Sequence, residues 1–256
     1  MCWKKRKPEV ILPASKRALL FAINAYGGGN DLNGCINDQK DLEAKLNAQF
    51  PGFDIRKFKD SEVTTDRFMS ELEGSIAVLK EGDVLLVHYS GHGTTVLDRD
   101  GDEQDGEDEA LYLKNGVLTD DRIGKALEKI PSGAKVILMF DSCFSGTITR
   151  AVKKAKFIPN PELAGKRLKR KRHLAVRSGM NHVVFSGCSE DQTSADAYIS
   201  GRYNGAFTFY ALLTLQPGMT YNTWFGNIRI HLPNKSFDQI PTLEGPEDLL
   251  TQTVFT

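Results

Sequence analysis

The sequence predicts an α/β fold, with a mostly parallel central sheet and helices on both faces. Three observations carry this. The runs Arg17–Ile23, Asp83–Tyr89 and Lys135–Phe140 are almost continuously apolar, as strands buried on both faces must be. Segments with helical spacing stand between such runs, and strand–helix alternation is the pattern of a parallel sheet. Two of the runs end in polar, glycine-containing stretches, and sheets of this kind bind ligands beyond the carboxyl ends of their strands.

Taken in order, Arg17–Ile23 reads as the first buried strand. Ile36–Phe50 reads as a helix with Leu42, Leu46 and Phe50 on one face, and Asp54–Lys59 as a short strand. Thr64–Leu79 follows as a helix capped by Thr64 or Thr65, with Phe68, Leu72, Ile76 and Leu79 along its apolar stripe. Asp83–Tyr89 is a strand. Thr119–Ile130 is a helix stopped by Pro131. Lys135–Phe140 and His182–Phe185 are strands, and Phe207–Leu215 and Tyr221–His231 are helices. Two stretches fall outside this pattern. Asp98–Glu109 is acidic and is expected to stay out of the core. Arg150–Arg177 holds eleven Lys or Arg against one acid, Glu162, and reads as an exposed linker inside one domain. The expected organisation is a basic tail over 1–15 and a domain over 16–256. That domain comprises a large part (16–149), the linker (150–177) and a small part (178–256).

The chain has 256 residues, enough for one sizeable domain. Its 33 Lys and Arg balance 33 Asp and Glu, so no overall field draws it to nucleic acid or to a membrane surface. No apolar run approaches the roughly 18 residues of a membrane helix, and Val10–Leu12 is too short for a signal-peptide core. A soluble, cytoplasmic protein is the expectation. The four cysteines, Cys2, Cys35, Cys143 and Cys188, form no CxxC pair, which speaks against a disulfide framework or a zinc site.

The chemistry sits at two strand exits, His88-Tyr89-Ser90-Gly91-His92-Gly93 and Asp141-Ser142-Cys143-Phe144-Ser145-Gly146. If these strands are neighbours, a histidine and a cysteine meet at the rim of the sheet. An imidazole beside a thiol raises the population of thiolate, the reactive nucleophile. The amides of Gly93 and Cys143 could then donate to a developing oxyanion. A core cysteine beside a loop histidine would show the same spacing.

The residues themselves go further. A strand ending HYSGHG, followed about fifty residues later by one ending DSCFSG, resembles the caspase-like cysteine peptidases, and among them the metacaspases, including their bacterial relatives. The likeness extends to Leu32-Asn33-Gly34-Cys35-Ile36-Asn37-Asp38, the acidic loop, Val184–Ser194, Gly205-Ala206-Phe207-Thr208 and Gln239–Gly245. It implies a caspase-like sandwich, a peptidase reaction, and His92 and Cys143 as the catalytic dyad. It also implies a pocket for a basic side chain, lined by Asp38 and Asp141 with Cys35 and Ser90. Two partly buried carboxylates favour a cation and repel an acid, so cleavage after Arg or Lys of protein or peptide substrates is expected. For Cys35 a plain buried position is the competing reading. Ser189–Asp196 is expected to form a wall of the groove, and Cys188 to be structural.

The basic linker lies where such enzymes are cut between their two parts, so self-cleavage within Arg150–Arg177 is expected. The chemistry needs no cofactor. The resemblance points to calcium as an activator held by Asp108, Asp120 and Asp121, although Arg150 stands near the place of a further family carboxylate and a cation opposes a metal. A solvated charge run and, for Asp120, a helix cap are the alternatives. A monomer is expected. The competing functions are an Arg- or Lys-specific clostripain-like peptidase, a catalytically silent scaffold or regulator of the same fold, and a calcium-binding module.

Overall fold

The computed structural model describes residues 14–97, 107–143, 154–161, 180–188 and 194–256. A six-stranded sheet runs through the middle in the order β12-β9-β7-β3-β1-β2. Its strands are β1 (Lys16–Ala22), β2 (Phe53–Lys59), β3 (Val84–Ser90), β7 (Lys135–Asp141), β9 (Val183–Ser186) and β12 (Thr242–Glu244). All pair in parallel except β12, which runs antiparallel to β9.

The side-chain alternation of the central strands explains the two covering layers. Leu19 and Phe21 of β1, Leu85 and Val87 of β3 and Leu138 of β7 point to one face. There they meet Phe68, Leu72 and Ile76 of α2 (Thr65–Ile76) and Ile123 and Leu127 of α3 (Asp120–Leu127). Ala18, Leu20, Leu86, Ile137 and Met139 point to the other. They pack on α1 (Cys35–Gln49), α4 (Ala206–Thr214) and α5 (Tyr221–His231). At the centre of that second layer Trp224 is fully buried and donates from Nε1 to the Ala211 carbonyl at 2.9 Å. Thr64 caps α2, its hydroxyl accepting from the Arg67 amide at 3.2 Å.

Two small sheets were not anticipated. One joins β4 (Gly93–Leu97), β5 (Glu107–Leu113) and β6 (Gly116–Thr119); the other joins β8 (Lys154–Ala155), β10 (Ala195–Ile199) and β11 (Arg202–Gly205). They correct two expectations. The end of the acidic stretch is part of the structured interior, because Asp108 lies buried on β5 opposite Val96. The linker is not uniformly exposed, because Lys154–Ala155 pairs with β10 and Lys156 is completely buried. The basic tail up to residue 13, the acidic residues 98–106 and most of the linker lie outside the described residues. Among the described residues no helix is long and apolar enough to cross a membrane.

Truncating Trp224 to Ala should cost roughly 3–5 kcal/mol, the range for removing a large buried aromatic. It should do so without altering the strand exits, which lie at the rim of the sheet. Urea unfolding of the variant checks this, and an unchanged midpoint would contradict the central place given to Trp224.

Candidate active site

The parallel pairing of β3 with β7 sets Ser90 opposite Asp141. His92 and Cys143 each stand two residues further along, so both leave the sheet at the same level on neighbouring strands. Both are buried.

The loop carrying His92 is held by two tyrosines. Tyr26 Oη accepts from the His92 amide at 2.8 Å, and Tyr89 Oη lies 2.8 Å from the His92 carbonyl. The Tyr26 ring also meets the imidazole edge-on, with centroids 4.5 Å apart. His92 Nε2 is 2.7 Å from the Asn30 carbonyl. A carbonyl only accepts, so Nε2 carries the proton and Nδ1 is the nitrogen able to take one up. The Cys143 thiol donates to the Ser194 carbonyl at 3.3 Å and receives the Ser194 amide.

Asp38, Ser90 and Asp141 are brought together in one buried cluster, each completely buried. Asp38 accepts from the Gly205 amide at 2.9 and 3.0 Å and from the Ser90 hydroxyl at 2.7 Å. Asp141 accepts from the Ser194 hydroxyl at 2.5 Å, and from the Thr208 amide and hydroxyl at 3.0 and 2.8 Å. Because the Thr208 hydroxyl proton goes to Asp141, the His88 ring 3.2 Å away must donate to it through Nε2. Burial holds that ring neutral, its pKa lowered to about 4. Cys35 lies buried near this cluster, where it packs with Ala22 and Leu32, and burial pushes its thiol well above the usual range.

The cluster contains a cation supplied by the chain itself. Lys156 Nζ lies 2.8 Å from Ser90 Oγ, 3.1 Å from Asp141 Oδ1 and 3.3 Å from Asp38 Oδ2. The three protons of an ammonium thus meet three oxygens. The backbone of Lys156 is held as closely. Its carbonyl accepts from the amides of Gly93 at 2.9 Å and Cys143 at 3.1 Å, the pair assigned above to an oxyanion. Its own amide donates to the Ser194 carbonyl at 3.1 Å. Burial drives Asp38 up to about 7, against the pull of Lys156. Burial pushes Asp141 the same way, but Lys156 and the bonds from Ser194 and Thr208 outweigh it and hold that carboxyl below the ordinary carboxylate range. Lys156 stays charged despite its burial, chiefly because of Asp141.

Sequence reasoning missed Lys156, Ser194, Thr208 and Gly205. Gly205 matters for space rather than for backbone angle. A methyl group there would overlap a carboxyl oxygen of Asp141, the Lys156 ammonium and a carboxyl oxygen of Asp38. Ser194 and Gly205–Thr208 were visible as parts of motifs, but their partners were not. Within the proposed wall Ser189–Asp196, residues 189–193 lie outside the described residues. Asp196 bonds the amides of Asn33 and Gly34, at 2.7 and 2.8 Å. Cys188 donates to the Ser142 carbonyl at 3.4 Å, directly under the strand exit that bears Cys143.

The three acids assigned to calcium are less closely grouped. Asp108 and Asp121 line one cavity of about 830 Å³ together with Arg122 and Lys125. Asp120 is the first residue of α3, so the cap position falls on Thr119 and not on Asp120. Among the described residues, no three His, Cys, Asp or Glu are grouped so as to hold a metal ion.

Residues 15–249 match the family described as the caspase domain, and the chain belongs to that family. Within it the chain is a cysteine peptidase of the metacaspase kind. It is 28% identical to metacaspase-1 of Meyerozyma guilliermondii, over 91% of this chain and 70% of that protein. It is also 28% identical to metacaspase-1 of Scheffersomyces stipitis, over 93% of this chain and 73% of that one. Among solved structures, protein GSU0716 from Geobacter sulfurreducens superposes with a TM-score of 0.72 at 26% identity, covering 94% of this chain and 98% of that one. Caspase-1 from Spodoptera frugiperda superposes with a TM-score of 0.64 at 14% identity, covering 99% and 94%, a likeness of fold alone.

Replacing Lys156 by Met leaves two buried carboxylates without their cation, and should destabilise the protein by up to roughly 3–5 kcal/mol. The loss should be larger at pH 8 than at pH 5. The folded-state pKa of Asp38, about 7, lies above its unfolded value, so the contribution of Asp38 to stability is present at acid pH and lost as pH rises through 7. Without Lys156 that penalty deepens. Melting temperatures of both proteins at the two pH values check this, and an equal shift at each would contradict it.

Proposed function

We propose that the chain is an endopeptidase that cuts after Lys or Arg, with Cys143 as nucleophile and His92 as proton carrier. We also propose that the bond between Lys156 and Phe157 is one of its own substrates. The observation that supports this most directly is the double anchoring of Lys156. Its side chain sits on both acids of the pocket while its carbonyl rests on the amides of Gly93 and Cys143. A residue held in this way presents the carbonyl to be attacked, already polarised, at the strand exit that carries the thiol.

The reaction then follows from the groups present. The Cys143 thiol gives its proton to His92 Nδ1, and the sulfur attacks the carbonyl carbon of the residue in the pocket. The carbonyl oxygen takes the negative charge, which the Gly93 and Cys143 amides stabilise. As the intermediate collapses, the C–N bond breaks and the leaving amine takes the proton from His92. Water then cleaves the thioester, releasing a carboxylate and restoring the thiol. Asp38 and Asp141 act only on choice of substrate: they attract a cation and repel an acidic side chain. Arg suits the site as Lys does, since its planar fork can meet both carboxylates.

Calcium enters this reading as an activator, because neither thiolate attack nor proton transfer calls on a metal. Asp108 and Asp121 would contribute to its site. Two carboxylates fall short of the six to eight oxygens calcium takes, and Arg122 and Lys125 line the same cavity, so these residues by themselves do not fit the ion.

Three fluorogenic peptides that differ only in carrying Arg, Lys or Asp before the cut test the specificity, each with calcium and with a chelator. Arg and Lys should be turned over and Asp at least about 100-fold less, given the several kcal/mol that like charges cost when buried together. The Cys143→Ala protein should be inactive. Wild-type protein, and Lys156→Arg, should yield a fragment beginning at Phe157, whereas Lys156→Gln should not be cut there. Turnover of the Asp peptide would overturn the pocket, and undiminished activity of Cys143→Ala would overturn the nucleophile.

A further inference from the structure

The chain on the far side of the Lys156–Phe157 bond is held as specifically as the near side. Before the bond, Ala155 pairs antiparallel with Ala195, and the Lys156 amide donates to Ser194. After it, Phe157 forms a parallel bridge with Gly93, the first residue of β4. In a parallel bridge one residue bonds to both neighbours of its partner. Here the Gly93 amide donates to the Lys156 carbonyl at 2.9 Å, and the Gly93 carbonyl accepts from the Ile158 amide at 3.0 Å. The bond that polarises the carbonyl to be attacked and the bond two residues downstream are therefore the two halves of one bridge. Beyond it, Asn160 Nδ2 donates to the Thr95 carbonyl at 3.2 Å. Ile158 lines the cavity of about 830 Å³ together with Val96, Leu97, Tyr112 and Val117.

We propose that β4 is a substrate-binding strand for the part of the polypeptide that follows the cut. Through the Gly93 carbonyl it requires a free backbone N–H on the second residue after the cut, and it favours an apolar, branched side chain there. The inference deepens the reading of Lys156–Phe157 as a substrate and rests on it. Because one residue makes both halves of the bridge, loss of the downstream bond lets the scissile carbonyl drift from the Gly93 amide. The effect therefore falls on kcat as well as on KM. Proline at that position has no N–H to give. A peptide ending in a fluorophore directly after Arg makes none of these contacts.

The test uses the wild-type protein after it has cut itself at Lys156–Phe157, because removing the Lys156 ammonium would leave Asp38 and Asp141 without their cation. Internally quenched peptides of the form Ala-Ala-Arg-Phe-X-Pro-Asn are compared, cut between Arg and Phe. X is Ile, Gly, Pro, or an Ile analogue whose N–H is replaced by an ester oxygen. The Arg–fluorophore amide, which has no residue after the cut, runs beside them. The ester analogue and the Pro peptide should fall by about tenfold or more in kcat/KM relative to Ile, as the loss of a hydrogen bond to a positioned carbonyl implies, with part of the fall in kcat. Glycine should fall several-fold, and Val117→Asp should narrow the Ile-to-Gly ratio. If the fluorophore amide is cut and X makes no difference, β4 has no such role. If the fluorophore amide is not cut at all, the underlying reading of the pocket fails first, and this one with it.

Discussion

The parallel pairing of β3 with β7 places Ser90 against Asp141, and the remaining features of the site follow from that register. Two residues on, the chains bearing His92 and Cys143 emerge side by side. At the paired level itself, Ser90 and Asp141 turn their polar side chains into the space between the strand ends and α4. Slipping the register by one residue would turn every side chain of β3 to the opposite face, burying polar groups among the aliphatic residues beneath α2. Since Leu85–Val87 and Ile137–Met139 are apolar on both faces, it is the polar residues at the strand ends, His88, Ser90 and Asp141, that leave the two strands one way to lie together.

Burying two carboxylates a hydrogen bond's reach from one another's partners is unfavourable, and the protein meets that cost with directed donors. Backbone amides of Gly205 and Thr208, hydroxyls of Ser90, Ser194 and Thr208, and the Lys156 ammonium are all aimed at Asp38 and Asp141. Of these donors, Lys156 comes from the segment after β7, whereas the amides and hydroxyls belong to strand ends and α4 and would stay in place without it. His88 extends the arrangement one layer further, since its ring orients the Thr208 hydroxyl from within the sheet.

Much of this was legible in the residues. Aliphatic runs such as those of β1, β3 and β7 declare buried parallel strands, and the polar stretches that end two of them declare where ligands bind. Ser90, His92, Asp141 and Cys143 could be placed because they end or follow such runs, whereas Asp38, inside α1, was marked only by the family resemblance of the stretch Leu32–Asp38. Other features lacked a local signal. β4, β10 and β11 are short and mix Gly, Thr, Asp and Asn with few aliphatics, so their pairing comes from tertiary neighbours rather than from periodicity. Asp108 sits in an acidic stretch whose composition suggests solvent, yet the turn of β5 against β4 buries it. Lys156 is one of eleven basic residues in its segment, and nothing local distinguishes it from the others. Its place is set by three oxygens from two distant strands and a helix. Gly205 could be marked as part of a motif, but the reason for a glycine there exists only once Asp38, Asp141 and Lys156 have converged on it.

The order of strands in the main sheet has a further consequence. β9 and β12 belong to the chain after the basic segment, yet β9 is hydrogen-bonded to β7, and α4 and α5 supply much of one covering layer. A nick between β7 and β9 would therefore not divide the molecule into two bodies. It would give two chains that share a single sheet and a single apolar interior, neither of which closes without the other. Mass measured under denaturing conditions and mass measured in native solution would then describe different objects, and dilution alone would not separate the fragments.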